Sequence, residues 1–93
     1  MATLHLIAKA PVGTDIIGRC FASAVAGDAI LFLGQGVMAA KYVNPVDGVS
    51  LYAQADDVGR LALRNQVPPF VQLIEDGRFV ELVVQYRVSV SWT

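Results

Sequence analysis

The chain has 93 residues, of which 55% are apolar and only 16% are charged, and its net charge is −1. This length predicts a single domain spanning residues 1–93, because a second hydrophobic core would need more chain. A domain this small cannot bury so many apolar side chains, and contiguous apolar surface usually marks a contact with another chain. We therefore expect an oligomer or a hetero-complex.

The distribution of charged and apolar residues excludes several classes of protein. The seven lysine and arginine residues are scattered and form no basic run, which argues against direct binding of nucleic acid. No apolar stretch approaches the roughly 20 residues of a membrane span, and the N-terminus does not resemble a signal peptide. Cys20 is the only cysteine, which excludes an internal disulfide and a CxxC motif. We predict a cytoplasmic protein with no cofactor and no metal site.

The first segments of the chain predict a strand followed by a helix. Residues 4–8 form a short apolar run, and the turn after it contains proline and glycine. Thr14 or Asp15 is suited to cap the next helix. In that helix, apolar residues recur at three- and four-residue spacing and form one stripe, which comprises Ile16, Ile17, Cys20, Phe21 and Ala24.

The alternation of strand-like and helix-like segments continues to residue 92. Further strands are predicted at 29–33, 49–53, 70–74 and 87–92, the last with one solvated face, and further helices at 37–42, 56–64 and 79–86. Asp76-Gly77 is predicted to form a turn. This order predicts an α/β fold, a small three-layer α/β/α arrangement around an open and mostly parallel sheet. The loops near 9–13, 34–36 and 54–57 should then lie together beyond the carboxyl ends of the strands.

Cys20 is the first candidate for chemistry, as an acceptor of sulfur. A reactive cysteine is exposed and has a lowered pKa, which a helix N-terminus or a basic neighbour provides. Arg19 is adjacent, but adjacent helical residues point about 100° apart, and Cys20 shares the apolar stripe with Ile16 and Ala24. Two interpretations stay open, a small buried hydrophobe and a carrier of persulfide sulfur.

A glycine motif offers a second candidate site. The segment Gly34-Gln35-Gly36-Val37-Met38-Ala39 follows a predicted strand and opens a helix, and Asp56 lies twenty residues beyond Gly36. This spacing approaches a dinucleotide-binding fingerprint. The motif follows the second strand and the chain is too small for a dinucleotide cleft, so we favour a tight turn that needs the backbone freedom of glycine.

Three other features have competing interpretations. His5 lacks a second histidine that would help to bind a metal, and it points away from Leu4 and Leu6, toward the other face of the sheet or an interface. The acid pair Asp56-Asp57 heads a predicted helix, where carboxylates stabilise the positive end. Trp92 either covers the core or contacts a partner.

Several segments, in order along almost the whole chain, resemble proteins of the DsrH/TusB family. Residues 4–11 (LHLIAKAP) resemble the family's "LHxxxKSP" opening, and 27–33 with 36–40 resemble "GDAxLLxxDGVxAA". Residues 51–56 (LYAQAD) are similar to "VYALxxD", 79–84 (FVELVV) to "FVxLxxx", and Ser91-Trp92 to the closing "SW". The chain departs from the pattern at Ala10, at Gly34-Gln35 and after Asp56.

The resemblance implies a DsrEFH-like, flavodoxin-like fold and a role in a cytoplasmic sulfur-relay complex. Such a complex passes persulfide sulfur between proteins, toward 2-thiolation of the tRNA wobble uridine or in dissimilatory sulfur oxidation. The implied partners are DsrE/TusD-like and DsrF/TusC-like subunits in a hetero-oligomer. The chain would scaffold the complex or accept sulfur without being an enzyme on its own.

Cys20 stands where DsrH proteins of sulfur oxidisers carry a cysteine in the first helix, whereas many TusB proteins lack it. Two alternatives remain beside the relay. One is a self-assembling ligand-binding or regulatory module of the same fold, with a small ligand near residues 34–36. The other is a thiol-dependent enzyme that uses Cys20.

Overall fold

The structure is a computed structural model that describes residues 2–9 and 15–92. Five strands form one sheet: β1 (Thr3–Ile7), β2 (Ala29–Phe32), β3 (Ser50–Gln54), β4 (Val71–Ile74) and β5 (Val88–Trp92). The helical segments are α1 (Ile16–Ser23), a 3₁₀ segment (Gly34–Tyr42), α2 (Ala55–Arg60) and α3 (Asp76–Gln85). The predicted α/β fold is confirmed.

The sheet is parallel throughout, and its strand order is β4-β3-β2-β1-β5. From β1 to β4 the chain steps in one direction, so right-handed crossovers place α1, the 3₁₀ segment and α2 on one face. The last connection returns across the sheet to its other edge, which places α3 on the opposite face and produces three layers. Flavodoxin-like sheets have the order 2-1-3-4-5 and reverse after their second strand, whereas this sheet reverses between β4 and β5.

Each face of the sheet has its own apolar cluster. The first cluster lies under α1, the 3₁₀ segment and α2, and the second lies under α3. Strand β2 is buried along its whole length because it contributes to both: Ile30 and Phe32 face the first cluster, and Ala29 and Leu31 face the second. This is the physical reason for the uninterrupted apolar run in the sequence.

The helical segments differ from the prediction at several boundaries. The predicted helix at 37–42 is a longer 3₁₀ segment, and α2 ends at Arg60 and not at residue 64. It ends early because Ala62 adopts a left-handed backbone conformation, with φ at 56°. The predicted turn at Asp76-Gly77 is wrong, since α3 begins at Asp76. An acidic residue in the first turn of a helix is stabilised by the helix dipole, which favours this start.

The two ends of the described chain also refine the prediction. Asp15 occupies the N-cap position of α1, and its carbonyl accepts the N–H of Arg19 at 3.0 Å, but its side chain makes no capping hydrogen bond. Thr14, the other predicted cap, and the predicted proline–glycine turn lie outside the described residues. The expectation of one solvated face on β5 is wrong, because Val88 and Val90 are 37% and 38% exposed and the serines between them are exposed too.

No helix among the described residues is both long enough and apolar enough to cross a membrane.

Candidate functional site

Cys20 is the buried residue of α1, with an exposed fraction of 0%, and it packs in the first cluster. Burial, which disfavours the charged thiolate, together with the negative charge of Asp28 raises the pKa of the thiol from 9.0 to about 12. The thiol is therefore protonated at neutral pH. The thiolate is the nucleophilic form of cysteine, so Cys20 is unreactive in this conformation.

These properties match the interpretation of Cys20 as a small buried hydrophobe. Its role as a persulfide carrier stays a prediction, and it would require α1 to move so that the thiol meets solvent or a partner. No basic side chain lowers the pKa of the thiol among the described residues, and Arg19 on the same helix is exposed.

A buried polar network lies on the face of the sheet that Cys20 packs against. Asp28 belongs to this network, and its charge acts on Cys20. His5 is 5% exposed and Asp28 is 3% exposed, and Nε2 of His5 lies 3.0 Å from Oδ2 of Asp28. The indole Nε1 of Trp92 donates a hydrogen bond to Nδ1 of His5 at 3.1 Å. We call these three residues the His5–Asp28–Trp92 network.

The network determines which nitrogen of His5 carries the proton. An indole N–H only donates, so Nδ1 must accept and therefore carries no hydrogen. The proton of the neutral ring is then on Nε2, which donates to the carboxylate of Asp28. Both ring nitrogens are thus bonded within the chain, which fits a structural role better than metal ligation. Among the described residues, no group of three or more histidine, cysteine or acidic side chains converges to hold a metal.

Asp28 joins β1 to the segment that follows α1. Its Oδ1 accepts the N–H of Thr3 at 2.9 Å, and its Oδ2 accepts the N–H of Val25 at 3.1 Å in addition to His5. Burial alone would raise the pKa of Asp28, but these hydrogen bonds and the attraction of His5 outweigh it and lower the pKa below its ordinary value. The sequence analysis missed Asp28, and its only local signal is its place just before a fully apolar strand.

Trp92 packs against the first cluster as well as bonding to His5. Its ring centroid lies 6.1 Å from that of His5, with 29° between the ring planes. The interpretation of Trp92 as core cover is therefore confirmed. His5 lies on the same face of the sheet as Cys20, since its neighbour Leu4 points into the second cluster.

The glycine motif forms a tight connection at the carboxyl end of the sheet. Gly34 has a φ of 55°, which favours glycine, and its N–H donates to Oδ2 of Asp57 at 2.7 Å. A Cβ atom at Gly36 would clash with the carbonyl oxygen of Ile7. In a dinucleotide site the amide of Gly34 would face a phosphate, but here it is bound to Asp57. Gly36 lies against β1. The turn interpretation is confirmed, and the loops near 34–36 and 54–57 meet as predicted.

The acid pair lies at the start of α2, as predicted, and Asp57 makes further contacts that the sequence does not indicate. The N-cap residue of α2 is Gln54, whose side chain makes no capping bond, and Asp56 and Asp57 lie in the first turn. Asp57 reaches away from its own helix to the amide of Gly34 and also pairs with Arg60. It therefore fixes the loop after β2 to the start of α2.

A cavity of about 330 Å³ lies between α1 and the 3₁₀ segment. Its walls are mostly apolar and include Ile17, Phe21, Tyr42 and Val43. Neither Cys20 nor the glycines of the motif line it. This cavity is therefore not the small-ligand site near residues 34–36 that the self-assembling binding module would use.

Apolar side chains also lie exposed on α3 and β5. Val80, Val83 and Val84 share one side of α3 and are 59%, 41% and 78% exposed. We call these three residues the α3 valine stripe. Val88 and Val90 of β5, which follows α3 along the chain, are also exposed. The expectation that surplus apolar side chains reach the surface is confirmed, and such a stripe is typical of a surface that another chain covers.

The comparisons with known proteins cover almost the whole chain. A model of the DsrH family, described as DsrH like protein, matches residues 9–89. Proteins named TusB from Photorhabdus laumondii, Buchnera aphidicola and Pectobacterium parmentieri are 31%, 26% and 27% identical to the chain. Each alignment covers 96% of this chain and 99% of the relative. The chain belongs to the DsrH/TusB family.

Proposed function

We propose that this chain is a subunit of a cytoplasmic sulfur-relay complex and that its partners are DsrE/TusD-like and DsrF/TusC-like chains. The observation that carries the proposal is the match to the DsrH family along residues 9–89. The complex passes persulfide sulfur between proteins, toward tRNA 2-thiolation or in dissimilatory sulfur oxidation. Within it, the chain scaffolds the sulfur-carrying partners.

The α3 valine stripe supports the scaffolding role. Three valines on one helix stay exposed although the chain has a buried apolar cluster on the other side of that helix. Covering them with a partner would remove their apolar area from water, which is favourable by about 25 cal/mol per Å². The stripe carries no charged side chain, so a partner surface that is also apolar fits it without burying an unpaired charge.

The state of Cys20 sets the limits of a role in carrying sulfur. In transfer, a thiolate attacks the outer sulfur of a persulfide, the existing S–S bond breaks, and the donor cysteine leaves as a thiolate. A new S–S bond forms on the acceptor, and no net oxidation occurs. Cys20 would first have to lose its proton, which burial and Asp28 oppose. We therefore assign the main role to assembly and keep sulfur acceptance by Cys20 as a prediction.

A reconstituted relay tests the proposal. The two partner chains, one loaded with radiolabelled persulfide sulfur, are mixed with the wild-type chain, with Cys20→Ala, or with no third chain. We expect transfer to the downstream acceptor to require the third chain and to survive Cys20→Ala. Undiminished transfer without the third chain would refute the scaffolding role. Loss of transfer in Cys20→Ala, with assembly intact, would show instead that Cys20 carries sulfur.

Deleting the gene in the source cells identifies the pathway. A fall in tRNA 2-thiouridine would place the complex in tRNA modification, and impaired oxidation of stored sulfur would place it in sulfur oxidation. If the deletion changes neither, the relay function is wrong, and recovery of the chain as a homo-oligomer would favour the self-assembling module.

A further inference from the structure

Strand β5 is held to the molecule mainly by its pairing with β1, which runs from Val88 to Trp92. It lies at the edge of the sheet and pairs only with β1, and its residues from Val88 to Ser91 are exposed. Its last described residue, Trp92, is half-buried and is bonded through its indole N–H to His5 on β1. This side-chain bond joins residues that are 87 positions apart and reinforces the backbone pairing at the end of the strand.

We propose that His5, Asp28 and Trp92 form a proton-sensitive latch that holds the carboxyl end of β5 on the sheet. The latch is closed when His5 is neutral, because Nδ1 accepts from Trp92 while Nε2 donates to Asp28. This inference is independent of the sulfur-relay function and depends on the geometry of the three side chains alone.

A second proton on His5 opens one side of the latch and tightens the other. The proton must go to Nδ1, since Nε2 already carries one, and Nδ1–H then faces the indole N–H of Trp92, so that two donors oppose each other. The bond from Nε2 to Asp28 becomes charge-assisted and stronger. The imidazolium therefore stays with Asp28, and Trp92 is the group that leaves.

The surroundings of His5 contain few other groups that would respond to pH. On its own strand and on β5, no other side chain titrates. From the loop before β2, Asp28 faces it with a lowered pKa, so this carboxyl stays ionised while histidine changes charge. From α1, Cys20 lies close enough to feel Asp28 but is neutral.

Nuclear magnetic resonance tests the latch directly. The chain has one histidine and one tryptophan, so the side-chain signals of each can be identified without ambiguity. The full chain, labelled with ¹⁵N, is titrated from about pH 8 to pH 5, the range in which histidine changes charge. At the high end we expect His5 as the Nε2–H tautomer. As His5 gains its proton, the Trp92 indole N–H should shift on the same curve and exchange with water roughly tenfold faster, the effect of losing one hydrogen bond.

His5→Gln is the matched control, since a glutamine amide offers an acceptor to Trp92 and a donor to Asp28 but does not titrate. Its Trp92 signal should be independent of pH over the same range. Trp92→Phe is the second control, because it removes the donor to Nδ1 while Asp28 still holds the proton on Nε2. Without the bond that closes the latch, the backbone amides of β5 should show no response to pH over this range. This variant keeps the proposal testable if His5→Gln fails to fold.

Three results would overturn the latch. The first is an Nδ1–H tautomer of His5 at pH 8. The second is a Trp92 indole signal that stays fixed through the titration, whether or not His5 gains a proton. The third is the same pH response in His5→Gln, with circular dichroism showing that both proteins unfold over that range.

Discussion

The two faces of the sheet are covered very differently. On the first face, α1, the 3₁₀ segment and α2 pack over a cluster in which the structure places thirteen buried residues. On the second face, α3 covers a cluster of six and contributes one fully buried side chain, Leu82. The first face is covered by three helical segments except along β5, whereas the second is covered by one helix that leaves the α3 valine stripe in solvent. We infer that the first face supplies most of the stability and that the second supplies the surface for a partner.

The sequence of α3 accounts for this division. Phe79, Leu82 and Tyr86 follow helical spacing and pack toward the sheet. Val80, Val83 and Val84 have the same spacing but lie on the outward side. A helix that is apolar on more than one side is typical of an element buried between two surfaces. In this chain only one of those surfaces belongs to the molecule itself.

The largest effect on stability is expected on the first face. Phe32→Ala removes a fully buried ring from the first cluster. We expect the free energy of unfolding to fall by about 3–5 kcal/mol, because both the transfer of the ring and the remaining cavity contribute. Urea denaturation monitored by the fluorescence of Trp92 measures the change. A loss below 1 kcal/mol would contradict the assignment of the main core to this face.

Leu82→Ala tests the second face in the same way. It removes the buried anchor of α3, and we expect a loss of about 2–3 kcal/mol, toward the lower part of the range for buried leucine because a thinly covered site can collapse more readily. Hydrogen exchange should show that the amides of α3 open before those of β2. A greater loss than in Phe32→Ala would reverse the comparison of the two faces.

Asp28→Asn probes the network that borders the first face. The amide removes the negative charge and one acceptor, and we expect a loss of about 1–3 kcal/mol at pH 7. Since the folded pKa of Asp28 is lowered, its contribution to stability is complete above the ordinary aspartate pKa of about 3.9 and disappears as the pH falls through the lower folded value. Unfolding curves from pH 7 to pH 3 should therefore decline less steeply in Asp28→Asn than in the wild type. An identical decline would show that Asp28 gains nothing from its partners.

Cys20→Ser should have a smaller effect. Serine has nearly the same shape, and its hydroxyl can bond to the carbonyl one turn earlier in α1, so we expect a loss of about 1 kcal/mol from burying the polar group. Assembly with the partner chains should be unchanged, as native mass spectrometry would show. Failure to fold would mean that burial of the thiol matters more than its size and shape indicate.

Val84→Glu should change the stability of the isolated chain least and its assembly most. Val84 is 78% exposed, and substitutions at such positions alter the free energy of unfolding by about 0.5 kcal/mol or less. A carboxylate on the stripe would have to be buried against an apolar partner, so binding should weaken strongly. Gln85→Glu adds the same charge to the neighbouring exposed position and should leave binding intact. Equal binding by both variants would remove the stripe from the interface.

The sequence predicts the strands better than it predicts the contacts between them. The apolar run of β2 indicates a strand buried on both faces, and β2 is one. The 3₁₀ form of Gly34–Tyr42 is harder to foresee, because the residue pattern does not distinguish it from an α-helix. The close approach of Gly36 to Ile7 likewise appears only in the folded chain. The bond between His5 and Trp92 spans 87 positions and depends on β5 returning to the edge beside β1, which no local pattern indicates. For Cys20, spacing predicts burial correctly as one of two alternatives, but the effect of Asp28 on its pKa appears only in the fold.

Native mass spectrometry of the tagged chain, isolated from its own source cells, tests the central claim most directly. The account predicts a stoichiometric complex with two other small α/β chains of the DsrE/TusD and DsrF/TusC type, and loss of that complex in Val84→Glu with retention in Gln85→Glu. Recovery of the wild-type chain only as a monomer or as a homo-oligomer would contradict it.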